Sequence, residues 1–285
     1  MERLRKSSIW HLLVAFACVI AIQSTIQAAP KKKGKAKSDP DHVPAGELYL
    51  KVAALETLYD FDLTDEQMTA LRSQAPAPDA PAPTGPMVSP KLQRSLLDLY
   101  NALVKVDEEQ IEKLQDEVDQ ATEAEKVKPP EPALTQAARR QAPALLRQLD
   151  AGQIASYFAD AADDVQDPAQ FLLDTIATGR GMTGDDWDKL RAAAVEDVAT
   201  LAAGLDPSAA KPMSDKAAKW LADWHAVDDD QLKARQSEME AAARQLFAAL
   251  DPMEVLRHCA ERELARLLSN PQLASAIDAR LAAKK

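Results

Sequence analysis

The stretch Leu63-Thr64-Asp65-Glu66-Gln67-Met68 decides the fold class. Thr64 is a helix-capping residue type, Gln67 stands three positions on, and apolar Leu63 and Met68 flank the pair. In such a box the cap hydroxyl accepts from the third helical N–H. The Gln side chain reaches back to the cap backbone, and the apolar flanks clamp the entry angle of the chain. The same pattern recurs at Val106-Asp107…Gln110-Ile111, Leu149-Asp150…Gln153-Ile154 and Val227-Asp228…Gln231-Leu232, and again at Leu250-Asp251…Glu254-Val255 and Leu268-Ser269…Gln272-Leu273. Three more starts put a cap residue before proline: Ser89-Pro90, Asp167-Pro168 and Asp206-Pro207. Proline is well suited to the first helical position, where its missing N–H costs nothing.

Between these starts the chain is written in helix-forming residues. Alanine recurs throughout, aromatics are 5% of the 285 residues and glycines number 8, whereas strands favour aromatic and β-branched side chains. Apolar residues repeat along single faces. Ile111, Leu114, Val118 and Ala121 make one seam, Leu232, Met239, Ala243, Leu246 and Leu250 another, and Leu256, Ala260, Leu264 and Leu267 a third. Seams of two or three heptads bury themselves against partner helices. The expectation is an all-α protein: a multi-helix bundle, or bundles, of short antiparallel helices.

Composition shifts mark the boundaries. Residues 1–29 have the layout of a signal peptide: Arg3, Arg5 and Lys6, an apolar run from Ile9 to Ile22, then a small and polar tail. That run is short for a bilayer span. Five lysines in KKKGKAK (31–37) follow it, and such charge resists export, so an uncleaved signal anchor through 9–29 is the alternative. The reading is periplasmic or secreted, or else inner-membrane-anchored. Residues 30–45 read as a disordered Lys-rich leader. Residues 46–125 read as N-terminal helical hairpins around a Pro-rich loop at 75–90 holding six prolines, 126–132 (KVKPPEP) as a linker, and 133–285 as a C-terminal helical domain. The first three boxes fall 43 residues apart, at Thr64, Asp107 and Asp150, a spacing that a duplicated hairpin would give.

Charge excludes one class of partner. Residues 1–29 hold three of the 34 basic residues and one of the 45 acidic ones, so the remainder stands near −13. Such a body repels phosphate backbones, and no nucleic acid is expected. Beyond 29 only Cys259 remains, which rules out an intramolecular disulfide.

Candidate chemistry is sparse. His225 lies near Asp223 and Asp228-Asp229-Asp230, but these aspartates suit the first turn of a helix, where negative charge meets the dipole. On a helix Cys259 leans toward the apolar seam as a small hydrophobe and His258 points away. ATGRGMTG (177–184) lacks the terminal Lys-Ser/Thr of a phosphate loop, and Gly179 reads as the residue just past a helix end. Trp187, Trp220 and Trp224 read as core or interface anchors. No metal, cofactor or catalytic set is expected.

Leu63-Thr64-x-x-Gln67 also spells an LTxxQ motif, and residues 46–125 resemble the small periplasmic helical proteins of the Spy/CpxP-like group. The resemblance implies an ATP-independent chaperone or stress-response binder. The second copy, Val106-Asp107-x-x-Gln110, lacks the Leu and Thr, and this chain is longer and more acidic. The sequence thus points to a non-enzymatic helical interaction or scaffold protein of the periplasm or cell envelope, with a protein or envelope polymer as partner. Leu63, Thr64, Gln67, Trp220 and Trp224 are the candidate interaction residues. The chaperone is one alternative. An enzyme built on His225 with its carboxylates, or on Cys259, is the other.

Overall fold

A computed structural model describes residues 43–76, 85–162 and 167–284. The expected signal segment, nearly all of the Lys-rich leader and the middle of the Pro-rich loop lie outside the described residues. Within them the chain forms thirteen helices and no strand, so the protein is all-α. The helices are α1 (Ala45–Asp60), α2 (Asp65–Arg72), α3 (Pro90–Lys105), α4 (Glu108–Ala124), α5 (Gln136–Leu146), α6 (Ala151–Ala162) and α7 (Pro168–Gly179). They continue as α8 (Asp185–Ala203), α9 (Pro207–His225), α10 (Asp229–Ala234), α11 (Gln236–Phe247), α12 (Pro252–Ser269) and α13 (Leu273–Ala283). Among the described residues no helix is long and apolar enough to cross a membrane.

The helix starts follow from local chemistry. Thr64 Oγ1 accepts from Gln67 N at 3.3 Å and Gln67 Oε1 accepts from Thr64 N at 2.8 Å, a complete capping box. Asp150 and Gln153 make the same reciprocal pair at 2.9 and 3.0 Å. Asp107, Asp228 and Asp251 each cap their helix through one carboxylate oxygen, and Ser89, Asp167 and Asp206 do so ahead of proline. The sixth box is a correction. Ser269 ends α12 instead of capping α13, and its hydroxyl accepts from Thr135 N at 3.1 Å. Asn270 Oδ1 takes the N–H of Gln272 at 2.8 Å instead, and α13 starts at Leu273.

The helix ends are less orthodox. Asp62, Val106 and Lys126 adopt left-handed φ of 45°, 58° and 52°. At each, the next N–H folds back across the last turn: Leu63 N to Leu58 O, Asp107 N to Ala102 O and Val127 N to Thr122 O. This closure normally recruits glycine. A β-branched valine there is strained by its own Cβ substituents.

The buried side chains form two cores. The first joins α1–α6 to α12 and α13, with Leu55, Leu58, Leu96, Leu264 and Ile277 fully enclosed. The second is drawn entirely from residues 169–247, on α7, α8, α9 and α11. Each leucine so enclosed contributes roughly 1.5–3 kcal/mol of transfer free energy. The chain therefore leaves the first core after α6, builds the second, and returns.

Helix α8 links the two. Ala194 and Val198 sit in the second core, while the face carrying Asp197 and Leu201 meets α12. Asp197 pairs with Arg262, and His258 Nδ1 bonds Leu201 O at 2.8 Å. Arg139 on α5 reaches Glu196 at 3.3 Å. Just past α8, Gly204 lies so close to the His258 ring that a Cβ would stand 2.9 Å from its Cδ2. Leu205 then enters the first core.

Candidate interaction site

The five candidate interaction residues do not come together. Leu63 is buried in the first core. Thr64 and Gln67 build the cap of α2, and Gln67 then meets Gln153, the box residue of α6. Their side-chain amides exchange hydrogen bonds of 3.1 and 2.9 Å, and Gln153 Nε2 also donates to Asp62 O at 2.8 Å. The first and third boxes thus join two helix starts 86 residues apart. In this chain Leu63 is buried, while Thr64 and Gln67 bond to one another and to Gln153.

Trp220 and Trp224 belong to the second core, with ring centroids 6.2 Å apart. Arg235 lies over the Trp224 ring at 4.9 Å, within the range of a cation–π contact. Trp187 does different work. Its ring stacks on His225 at 3.8 Å with a 9° tilt, and His225 Nε2 bonds Gly179 O at 3.1 Å. Gly179 is a further correction. It is the last residue of α7 rather than a left-handed one beyond the end. Glycine is required because a Cβ would stand 2.5 Å from the Trp187 ring.

His258 also departs from expectation. It is buried, turned into the α8–α12 seam instead of away from packing. Cys259 is buried beside it, and burial pushes its thiol up to about 12, far from the thiolate that nucleophilic chemistry needs. Burial also raises the Asp197 carboxyl by more than Arg262 lowers it. The ring of Tyr157 stacks on Phe61 at 4.2 Å, and its buried hydroxyl is driven well above its ordinary range by desolvation. Among the described residues no group of three or more His, Cys, Asp or Glu side chains is arranged to hold a metal ion.

Sequence reasoning missed Arg180, which binds Val227 O at 2.9 Å, His225 O at 3.3 Å and the Asp229 carboxylate. It thereby ties the start of the α7–α8 turn to the end of α9. No local signal marks it, because its partners lie 45 or more residues away. The sequence also left unremarked the outer face of α4. From Asp107 to Glu125 it carries nine carboxylates and one lysine, and eight of the nine are exposed. By contrast, the large apolar side chains exposed among the described residues are Met87, Leu97 and Met253, on three separate segments. Among the described residues, exposed charge is gathered on α4 while exposed large apolar side chains are scattered.

Comparison with known proteins returns no match: no family model, no curated protein and no solved structure is similar to this chain.

Proposed function

We propose that this chain is a non-enzymatic helical interaction or scaffold protein of the periplasm or cell envelope. The observation that carries this reading is the employment of its chemically capable side chains. His225 is stacked under Trp187 and tied to Gly179 O, His258 is tied to Leu201 O, Cys259 is buried with its thiol raised, and Asp197 is paired with Arg262. The two histidines and Asp197 each hold one helix to another. What faces water is charge, densest on α4, which suits a protein or envelope polymer carrying cationic groups. The layout of residues 1–29 supports the export half of the reading, either as a cleaved signal or as a membrane tether through 9–29.

The test is site-specific photo-crosslinking in the envelope from Asp116, on the exposed face of α4, against a control probe at Lys211 on α9. The reading expects a discrete, salt-sensitive adduct from Asp116 and none from Lys211. Absence of an adduct from both sites contradicts it. Suppression of client aggregation at stoichiometric ratio would instead support the chaperone.

A further inference from the structure

The described residues begin at Val43, and its surroundings fix where the preceding chain meets the fold. Gln93 Nε2 donates to Val43 O at 2.7 Å, and one turn earlier on α3 Ser89 N donates to Glu125 Oε2 at 2.9 Å. Val43 and Glu125 therefore flank the first turn of α3, which puts Val43 at the C-terminal end of α4. Helix α1 runs antiparallel to α4: the hydroxyls of Tyr49 and Thr122 meet at 2.9 Å, and Gln115 Nε2 donates to Glu56 Oε1 at 3.1 Å.

At the helical repeat, Glu108, Glu112, Asp116, Asp119 and Glu123 fall in one stripe along α4. The stripe borders Gln115 and Thr122, on the flank where α4 meets α1. All but Asp119 are exposed. The lysine of α4, Lys113, lies off the stripe and pairs with Glu117 at 3.8 Å. Successive carboxylates of the stripe stand roughly 4.5–6 Å apart along the helix axis.

The opposite charge stands just ahead of Val43 in the sequence. Lys31, Lys33, Lys35 and Lys37 alternate, a period at which an extended chain presents side chains to one side every ~6.6 Å. Ser38-Asp39-Pro40-Asp41, between them and Val43, is composed of turn-forming residues, as a reversal back along α4 requires. Fully extended, residues 31–43 reach about 40 Å, against ~25 Å for the length of α4.

We propose that the Lys31–Lys37 segment docks along this stripe, with Lys37 beside Glu123 and Lys31 toward Glu112, as an internal occupant of the outer face of α4. One exposed pair of this kind contributes little, but four act together, and the tether holds them at millimolar effective concentration. An outside cationic partner must displace the segment, so these lysines set the threshold for binding at α4. The docking goes beyond the proposed function, since it needs no outside partner.

The test is amide relaxation in the full chain carrying a nitroxide on Ala36→Cys in a Cys18→Ser background, Cys259 being buried. At low salt the amide signals of 112–123 should be at least about threefold weaker than those of α9 and α11, given the effective concentration of the tether. Salt at about 0.5 M, which screens charges beyond a few ångströms, should restore them. So should the triple variant Glu112→Gln, Asp116→Asn, Glu123→Gln, or an added deca-lysine peptide. Signal lost evenly over the surface overturns the inference, as does loss on α4 that ignores both salt and the triple variant. Loss that fades when labelled chain is diluted places the contact between copies and overturns it too. If the label leaves α4 untouched while deca-lysine still shifts the 112–123 amides, the docking is overturned and the proposed function stands.

Discussion

The first core is mainly aliphatic and closed by residues far apart in the chain, whereas the second is richer in aromatics and closed within residues 169–247. Leucines dominate the first, and its ties span most of the sequence: Asn270 Nδ2 donates to Leu50 O and Arg280 donates to Leu103 O across 220 and 177 residues. The second holds Trp187, Trp220, Trp224, Phe171 and Phe247; its hydrogen bonds, such as His225 to Gly179, span fewer than 50 residues, and its packing stays within residues 169–247. Long loops must close before distant contacts reward them. The second core is thus a local unit set between two parts of a first core that remains incomplete until α12 and α13 arrive.

The contrast can be broken most forcefully in α12. Leu264→Ala empties a fully buried site of the first core and should cost about 2–5 kcal/mol. Urea unfolding read by ellipticity should shift accordingly. Tryptophan emission, which among the described residues reports only the second core, should shift much less in a Trp10→Phe background. Equal shifts in both signals would merge the two cores into one. The seam between them is next. Asp197→Ala strands the largely covered Arg262 and should cost about 3 kcal/mol, while Asp197→Leu with Arg262→Leu should be nearly neutral, since burying the pair offsets most of its attraction. A double variant as damaged as the single one would contradict that account.

Within the second core, Gly179→Ala drives a methyl into the Trp187 ring and should cost about 1–3 kcal/mol. The loss should appear first as changed tryptophan emission. Thr64→Ala, in the capping box of α2, should cost about 1 kcal/mol by denaturant titration and leave tryptophan emission unaltered.

These residues also show where sequence reading stops. Caps were legible because a cap and its partner lie within three positions: Thr64, Asp107, Asp150, Asp228 and Asp251 all cap their helices, and at Thr64 and Asp150 the Gln side chain completes the box. Ser269 failed because its hydroxyl is taken by Thr135 N, 134 residues away, while Asn270 accepts from Gln272 N in its place. The left-handed turns at Val106 and Lys126 were invisible because their residues are not those that such turns favour. The all-α class was plain from composition, yet nothing local announced that α12 and α13 complete the core begun by α1. At the candidate site, the tryptophans were recognisable as anchors. The stacking of Trp187 on His225 was not, because it depends on Gly179 leaving room from another helix.

The most direct test ends the chain after Leu250, removing α12 and α13 together. The account predicts that tryptophan emission keeps a cooperative urea transition, because residues 169–247 hold the second core by themselves. Ellipticity should fall by more than the two missing helices supply, because α1–α6 lose the surface they pack on. A shortened chain that loses only the helicity of α12 and α13 and unfolds with both transitions intact would contradict it.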